Sequence, residues 1–278
     1  ISAGAGGSAG SGNLSGTWSN SGALGAASGG TLNLGGTWST SAGLTAPSST
    51  VNLSGVLNNA GASTTLAGGN WFLQGGSIGG GTLTETSGAR LYATGSGGTL
   101  DGVTLNGDLD LTNGGNQHVT VLNGLTLNGT ASIGNASSNA NFYYGYIDFV
   151  GSQSLLGTGT VVFGNDNTRG SFNSLRVSQT GTTLTIGPNI TVRGATGGIG
   201  YNSNLGGVST VVVINQGTIS ADLAGSGITV NGTNWINEGT IQAKSGGTFS
   251  LISTWTNTGA ISAGAGGSAG SGNLSGTW

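Results

Sequence analysis

Residues 235–241 read WINEGTI, and residues 255–261 read WTNTGAI. The same W-x-N-x-G-x-I pattern recurs near the other end of the chain, as WSNSGAL at residues 18–24 and as the looser WSTSAGL at residues 38–44. A weaker copy, VINQGTI, occupies residues 213–219. Within each strongly matching pair the two copies lie 20 residues apart. A fixed short period of this kind predicts stacked supersecondary units rather than a globular domain.

The aligned copies define four columns. The first contains Val213, Trp235, Trp255, Trp18 and Trp38. The second contains Asn215, Asn237, Asn257, Asn20 and Thr40. The third contains Gly217, Gly239, Gly259, Gly22 and Ala42. The fourth contains Ile219, Ile241, Ile261, Leu24 and, with a slip of one residue, Leu44.

These columns predict structural ladders along a rod. In an extended segment the marked positions share one parity, so Trp and Asn point to the same face. We predict that this face is inward and that the Asn amides satisfy backbone groups at a corner. An outward Trp ladder that packs against a neighbouring rod is the open alternative. The third-column glycines are predicted to supply the positive φ that a sharp corner demands.

A second strand signal lies between the motifs, in GGTLNLG at residues 29–35 and GGTFSL at residues 246–251. Apolar residues alternate there with small polar ones, which is typical of a strand with one buried face. Strand, turn and strand over roughly 20 residues predict one coil of an all-β, right-handed parallel β-helix, or β-solenoid. Residues 135–146 and 164–173 lack the pattern and are predicted to be loops or lateral bulges.

The two ends of the chain carry the same sequence. Residues 1–18 and residues 261–278 both read ISAGAGGSAGSGNLSGTW, an offset of 260 residues. We therefore expect residues 1–278 to form one continuous solenoid, in which residues 1–260 are one repeat unit and residues 261–278 begin the next identical unit. At roughly 20 residues per coil, a unit would contain roughly 13 coils and span about 60 Å.

Composition narrows the class further. Charged residues make up 5% of the chain, the net charge is −3, and there are 61 Gly, 2 Pro and no Cys. Collagen would need abundant Pro, and a nucleic-acid partner is opposed by only five basic residues. No apolar run is long enough to span a membrane. The absence of Met leads us to expect an internal segment of a longer exported chain.

The repeats of the form W-T-N-T-G-x-I-x-A followed by G-G-T-L-x-L-x-G-T resemble bacterial β-strand-repeat surface proteins. These are large exported chains related in style to filamentous haemagglutinins and autotransporter passengers. The motif match covers roughly residues 208 to 76, counted through the repeated ends, while the middle resembles the family only in composition and strand pattern. The resemblance implies an extracellular or cell-surface location, and it carries over no active-site residue.

The sequence offers little to catalysis or metal binding. His118 is the only His, in a predicted turn, and a transition-metal site would need partners that the chain lacks. Asp108 and Asp110 flank Leu109 on one side of a predicted strand, where acid–base or Ca²⁺ chemistry is the alternative to an outward strand face. We predict no catalytic, cofactor or metal site and no cofactor.

Two further groups bear on alternative functions. In a β-helical carbohydrate-active enzyme, acids and bases would have to converge in a groove, and the candidates from the middle region are Asp166, Arg169, Arg176 and Arg193. A salt-bridge cluster is the favoured interpretation of those residues. Tyr143, Tyr144 and Tyr146 would serve either glycan binding, contact with a neighbouring fibre, or simple packing.

The sequence thus predicts a structural, non-enzymatic repeat of a giant exported protein that forms an extracellular fibre, sheath or matrix filament. The stalk or passenger of a cell-surface adhesin is the main alternative, and the carbohydrate-active enzyme is a minor one. The predicted partner is the chain itself, through end-to-end continuation and lateral association of rods.

Overall fold

The computed structural model describes residues 1–135, 142–165, 170–267 and 269–278. These residues form an all-β structure of parallel strands, with short 3₁₀ turns at Ala5–Gly7, Gly170–Phe172 and Ala265–Gly267. Within the described ranges no helix is long and apolar enough to cross a membrane. The prediction of an all-β parallel solenoid is confirmed.

The strands follow one another at short intervals along the chain. The first eleven are β1 (Ser2–Ala3), β2 (Ser11–Leu14), β3 (Thr17–Asn20), β4 (Leu24–Ala26), β5 (Thr31–Leu34), β6 (Thr37–Thr40), β7 (Leu44–Thr45), β8 (Thr50–Leu53), β9 (Val56–Asn58), β10 (Ser63–Ala67) and β11 (Asn70–Leu73). The next ten are β12 (Ser77–Gly79), β13 (Thr82–Thr86), β14 (Arg90–Ala93), β15 (Thr99–Asn106), β16 (Leu109–Leu111), β17 (Gln117–Leu127), β18 (Thr130–Ile133), β19 (Gly145–Phe149), β20 (Gln153–Leu156) and β21 (Thr160–Phe163). The last eleven are β22 (Ser174–Val177), β23 (Thr183–Ile186), β24 (Thr191–Gly194), β25 (Gly197–Gly200), β26 (Val212–Asn215), β27 (Thr218–Ala221), β28 (Gly227–Asn237), β29 (Thr240–Ala243), β30 (Thr248–Asn257), β31 (Ala260–Ala263) and β32 (Ser271–Leu274).

Parallel pairing arranges these strands into three faces that the chain visits in a fixed order, face 1, face 2, face 3. Face 1 contains β1, β4, β7, β10, β13, β20, β23 and β26, with the second halves of β15, β17, β28 and β30. Face 2 is the separate 12-stranded sheet of β2, β5, β8, β11, β14, β16, β18, β21, β24, β27, β29 and β31. Face 3 contains β3, β6, β9, β12, β19, β22, β25 and β32, with the first halves of β15, β17, β28 and β30. Each face therefore holds twelve segments, one from each of twelve coils.

Alternation along each strand builds the interior. In β5, Leu32 and Leu34 are buried and Thr31 and Asn33 face outward. Stacking repeats this pattern from coil to coil, so the apolar residues of all three faces form one continuous core along the rod. A single coil could not bury its own apolar side chains, because only neighbouring coils cover them.

The coils are longer in the middle of the chain than the sequence period predicts. The interval between paired residues ranges from 18 residues, for Leu91 and Leu109, to 31, for Thr160 and Thr191. The expectation of roughly 13 coils of roughly 20 residues is therefore wrong. The extra residues lie between faces, as in the stretch from the end of β25 to the start of β26, where they leave strand pairing intact.

The corner between face 3 and face 1 is made in two ways. In most coils separate strands flank a short turn, but β15, β17, β28 and β30 run through the corner and bend there. Each bend contains a residue at positive φ, such as Asn234 in β28 and Ser253 in β30. The register with the neighbouring coil shifts between Gly232 and Trp235, because the bend inserts residues that have no partner.

Two local predictions need correction. His118 lies in β17 rather than in a turn, because the turn is completed two residues earlier by Asn116 at φ 58°. The predicted loop at residues 135–146 ends sooner, since Tyr146 belongs to β19. The rest of that loop, at residues 136–141, lies outside the described residues, as do residues 166–169 of the second predicted loop.

Candidate functional site: the stacked columns and their corners

The Trp residues of the motif stack inside the rod. Trp18 and Trp38 have ring centroids 4.8 Å apart at an interplanar angle of 5°. Trp235 and Trp255 stack at 5.3 Å and 14°. Trp38, Trp235 and Trp255 are at most 4% exposed, so the inward alternative is the one observed. Each stack contributes to the core and adds a ring contact between neighbouring coils.

The two Trp stacks lie on different faces of the rod. Trp18 and Trp38 belong to face 3, in β3 and β6, whereas Trp235 and Trp255 belong to face 1, in the second halves of β28 and β30. The sequence alignment placed all four Trp residues in one column, but within this chain they do not form a single stack. The alignment is correct for the second copy of the repeated segment, because Trp278, the copy of Trp18, stacks on Trp255 at 5.6 Å and 28°.

The buried indole N–H groups bond along the rod axis. Nε1 of Trp18 donates to the Gly35 carbonyl at 3.1 Å, and Nε1 of Trp235 donates to the Ile252 carbonyl at 2.9 Å. In both cases the acceptor lies three residues before the Trp of the next coil. Nε1 of Trp255 is buried and has no hydrogen-bond partner among the described residues. Its equivalent acceptor would belong to the terminal coil that carries Trp278.

A ladder of Asn amides runs along the corner between face 1 and face 2. Nδ2 of Asn215 donates to Oδ1 of Asn237 at 2.7 Å, and Nδ2 of Asn237 donates to Oδ1 of Asn257 at 2.7 Å. Each amide also donates to the carbonyl of the glycine two residues on. Asn215 and Asn237 are fully buried, so these bonds satisfy amide and backbone groups that water does not reach.

The ladder begins at Asn215 for a local reason. Asn215 pairs with Ile186 in the preceding coil, and an isoleucine offers no donor. Oδ1 of Asn215 is consequently buried without a hydrogen-bond partner in the described part of the chain. A shorter series at the corner between face 3 and face 1 uses the same chemistry, with Nδ2 of Asn20 donating to Oγ1 of Thr40 at 3.1 Å.

Three of the third-column glycines, all at the corner between face 1 and face 2, are needed for a different reason from the one that the sequence suggested. Gly22, Gly217, Gly239 and Gly259 do not adopt positive φ, so that prediction is wrong. A Cβ on Gly239 would overlap the Gly217 carbonyl oxygen, and one on Gly259 would overlap that of Gly239. A Cβ on Gly217 would meet the Ile190 carbonyl oxygen, but nothing lies within 4 Å of one on Gly22. Close approach of successive coils is therefore what selects glycine at this corner.

Sequence reasoning missed a second Asn ladder, which lies on the outside of face 2. Nδ2 of Asn33 donates to Oδ1 of Asn13 and Nδ2 of Asn52 donates to Oδ1 of Asn33, both at 2.6 Å. The outward column continues with Phe72 and Tyr92, whose rings stack at 5.0 Å. Alignment of the N-L dipeptides at residues 13–14, 33–34 and 52–53 would have been the signal.

One charged group bridges two successive coils at the end of face 1 and the start of face 2. Arg90 donates to Oδ2 of Asp108 and to Oδ2 of Asp110, both at 3.1 Å. The neighbouring Glu85 accepts the backbone N–H groups of Leu91 and Asp108. Burial raises the pKa of Glu85 to about 7, against those N–H donors, which lower it. Asp108 and Asp110 are thus tied to a cation of the chain itself.

Arg176 and Arg193, the two candidate arginines that the structure describes, lie on different faces of the rod. Arg176 lies on face 3, with Nε 3.8 Å from Oδ1 of Asp148. Arg193 lies on face 2 and donates from Nε to Oδ2 of Asp222 at 2.8 Å. Burial raises the pKa of Asp148, and Arg176 partly offsets that effect. The other two proposed members of the groove, Asp166 and Arg169, lie outside the described residues.

An aromatic group forms part of the outer surface of face 3. The rings of His118 and Tyr146 stack at 5.1 Å and 5°, and the Arg176 guanidinium lies 5.8 Å from the Tyr146 ring centroid. The Tyr144 hydroxyl donates to Oδ1 of Asn116 at 3.4 Å. The predicted cluster of three tyrosines is therefore divided, because Tyr146 belongs to the strand ladder and Tyr144 to the segment before it.

The Trp stacks and the Asn ladders connect successive coils along the rod. Within the described ranges, no group of three or more His, Cys, Asp or Glu residues is arranged to hold a metal ion. No protein-family profile, curated protein or solved structure matches the chain.

Proposed function

We propose that this chain is a structural segment of an extracellular bacterial fibre, sheath or matrix filament, built from tandem copies of one 260-residue sequence. The proposal rests on one observation. Residues 261–278, which repeat the first eighteen residues, form strands of the same solenoid and continue its columns. Trp278 stacks on Trp255, as Trp18 stacks on Trp38.

The contacts described above support a structural role. Backbone hydrogen bonds join each coil to the next along the three faces, and buried Asn and Trp side chains add bonds in the same direction. The ion pairs, such as Arg90 with Asp108 and Asp110, also join successive coils. In a solenoid, stability comes from such nearest-neighbour interfaces, so added copies lengthen the rod without changing its section.

Chains of one, two and three tandem copies test the proposal. We expect rods whose length grows by about 54 Å per copy, because β1 lies in the first coil and β31 in the twelfth, so that one copy spans a little over eleven coils of roughly 4.8 Å each. Small-angle scattering and electron microscopy measure this length. A two-copy chain with a flexible Gly/Ser linker between the copies is the control, and it should give two jointed rods. Jointed rods from the directly fused copies would contradict the proposal.

A further inference from the structure

The repeated eighteen residues occupy different faces at the two ends of the chain. Ser2 and Ala3 lie on face 1, whereas their copies Ser262 and Ala263 lie on face 2. The strand Ser11–Leu14 lies on face 2, whereas its copy Ser271–Leu274 lies on face 3. Thr17 lies on face 3, and its copy Thr277 bridges to Thr254 on face 1. Every part of the repeated segment has therefore advanced by one face.

We infer that each 260-residue copy makes eleven turns and one third, so that consecutive copies stack with a rotation of one face, or about a third of a turn. The count follows from the strand order, since β1 opens face 1 in the first coil and β31 lies on face 2 in the twelfth. The mean coil is then about 23 residues long. Three copies are needed before the sequence returns to the same face. This inference rests on the proposed tandem rod and specifies how its units meet.

The contacts of the repeated segment at the two ends of the chain are compatible with one another. At the start of the chain the segment contacts the coil that follows it, and at the end of the chain it contacts the coil that precedes it. At the start of the chain, its Trp stacks with Trp38 and its Asn13 accepts a hydrogen bond from Asn33. At the end of the chain, the same Trp stacks on Trp255 and the strand pairs with β30. A following copy would place Trp38 on Trp278, which gives an unbroken stack on face 1.

The terminal coil also shows what the next copy completes. Trp278 is 71% exposed and Leu274 is 46% exposed, although their counterparts at the start of the chain, Trp18 and Leu14, pack against the core. Nε1 of Trp255 is buried without a partner among the described residues, next to this open coil. A second copy of this sequence would cover the exposed pair and fix the strand that supplies the missing carbonyl.

The rotation has a consequence for the outer surface. The Arg90–Asp108–Asp110 group borders face 2, and the His118–Tyr146 stack lies on face 3. In successive copies each group would turn by one face, so all three sides of the rod would carry it in turn. The same side-chain group would then return to a given side at intervals of about 160 Å, three copies at about 54 Å each.

Engineered disulfides test the register in the chain itself, which contains no cysteine. Ser250 and Asn273 are Cα partners on face 3, with side chains pointing outward. We expect the S250C/N273C variant to form a disulfide in most molecules, seen as a gel mobility shift lost on reduction. The control Q242C/N273C places its first cysteine on face 2 and should not cross-link. Cross-linking of the control alone would overturn the one-face advance.

A chain of two copies extends the test beyond residue 278. Thr256 of the first copy should neighbour Ser19 of the second, because Trp255 pairs with the copy of Trp18. Their cysteine variants should cross-link, whereas within one copy these residues lie on different faces, eleven coils apart at the two ends of the rod. The control combines S250C in the first copy with S19C in the second. These two residues would face each other only if the copies stacked without the rotation.

The two proposals fail differently in this experiment. If the two-copy chain is a single rod by scattering but only the S250C/S19C control cross-links, the rotation is wrong and the structural proposal stands. If the chain does not form a single rod, the proposed function itself fails. A single rod with the T256C/S19C cross-link supports both.

Discussion

At the residue scale, two positions at the corner between face 1 and face 2 each accept very few residue types. The last position of the strand needs an amide that donates both to the next coil and to its own turn, as Asn237 does. The position two residues later, Gly239, has no room for a side chain, because the Gly217 carbonyl of the preceding coil occupies the place that a Cβ would take. Hydrogen bonding thus selects one residue and sterics the other.

Replacement of Gly239 by Ala tests the steric requirement. The added Cβ would overlap the Gly217 carbonyl oxygen and lie 2.6 Å from the carbonyl group of Gln216, and both of these are backbone groups of the preceding coil. We expect a loss of about 3 kcal/mol in the free energy of unfolding, the upper range for overpacking. The matched control is Gly22→Ala, where nothing lies within 4 Å of the new Cβ. Urea denaturation of both variants decides, and equal effects would contradict the close-approach explanation.

Replacement of Asn237 by Ala tests the buried ladder. The change removes the bonds to Asn215 and Asn257 and leaves buried polar groups unpaired, so we expect a loss of about 2–3 kcal/mol. Asn33 is a suitable control because it also bonds to two Asn neighbours but faces outward. Asn33→Ala should cost less than about 1 kcal/mol, since water replaces its bonds. A cost for Asn33→Ala as large as that for Asn237→Ala would show that burial is not the deciding factor.

The stability of the coils around Glu85 should depend on pH. The pKa of Glu85 is raised to about 7 in the folded chain from 4.5 in the unfolded one, so folding favours its protonated form. Its contribution is therefore fully present below about pH 4.5 and lost as the pH rises through 7. We expect a loss on the order of 1 kcal/mol, reduced by partial exposure to solvent.

The Glu85→Gln variant isolates this effect. Gln does not titrate, and its single oxygen can accept from the backbone N–H of either Leu91 or Asp108 but not from both, so it lowers stability by a similar amount at every pH. Its unfolding midpoint should vary less between pH 5 and 7 than that of the original chain, with a remaining slope from Asp148, whose pKa is also raised. Identical slopes for the two proteins would contradict the assignment to Glu85.

At the element scale, strand patterns were predictable and corner geometry was not. Alternation in segments such as Thr31–Leu34 and Thr183–Ile186 indicated strands that the structure contains. The face that each strand joins depends on how many residues lie in each corner before it. Corner residues do not alternate between apolar and polar, so their number could not be assigned from the sequence. Trp18 and Trp235 were therefore placed in one column although they lie on different faces.

Truncation of Trp235 measures what one coil of a stack contributes. Its ring is fully buried against Trp255, and its N–H bonds to the Ile252 carbonyl. We expect Trp235→Ala to cost about 3–5 kcal/mol, the usual range for loss of a buried Trp. Trp278→Ala, at 71% exposure, is the control and should change the unfolding midpoint little. A comparable loss in both variants would argue against the interior stack as the source of stability.

At the scale of the whole molecule, stability should be local to neighbouring coils. In the described part of the chain, the strands of each coil pair only with those of the coils directly before and after it. Removing residues 261–278 deletes the last strands, β31 and β32, and uncovers parts of β29 and β30. Amide hydrogen exchange should then accelerate in β29 and β30 and stay unchanged in β5 to β18, because interface energies act between nearest neighbours. Faster exchange throughout the chain would indicate a globally cooperative domain instead.

The sequence by itself determined the class of structure, because alternation, glycine spacing and recurring Trp and Asn require coils that bury one another. It also determined that residues 1–18 and 261–278 are equivalent. Only the tertiary structure decided how many coils separate them and on which faces they lie. Coil number depends on corner lengths, which range widely where residues leave the strand ladders. The same sequence can occupy face 1 or face 2 because each face offers a similar edge of parallel backbone and apolar interior.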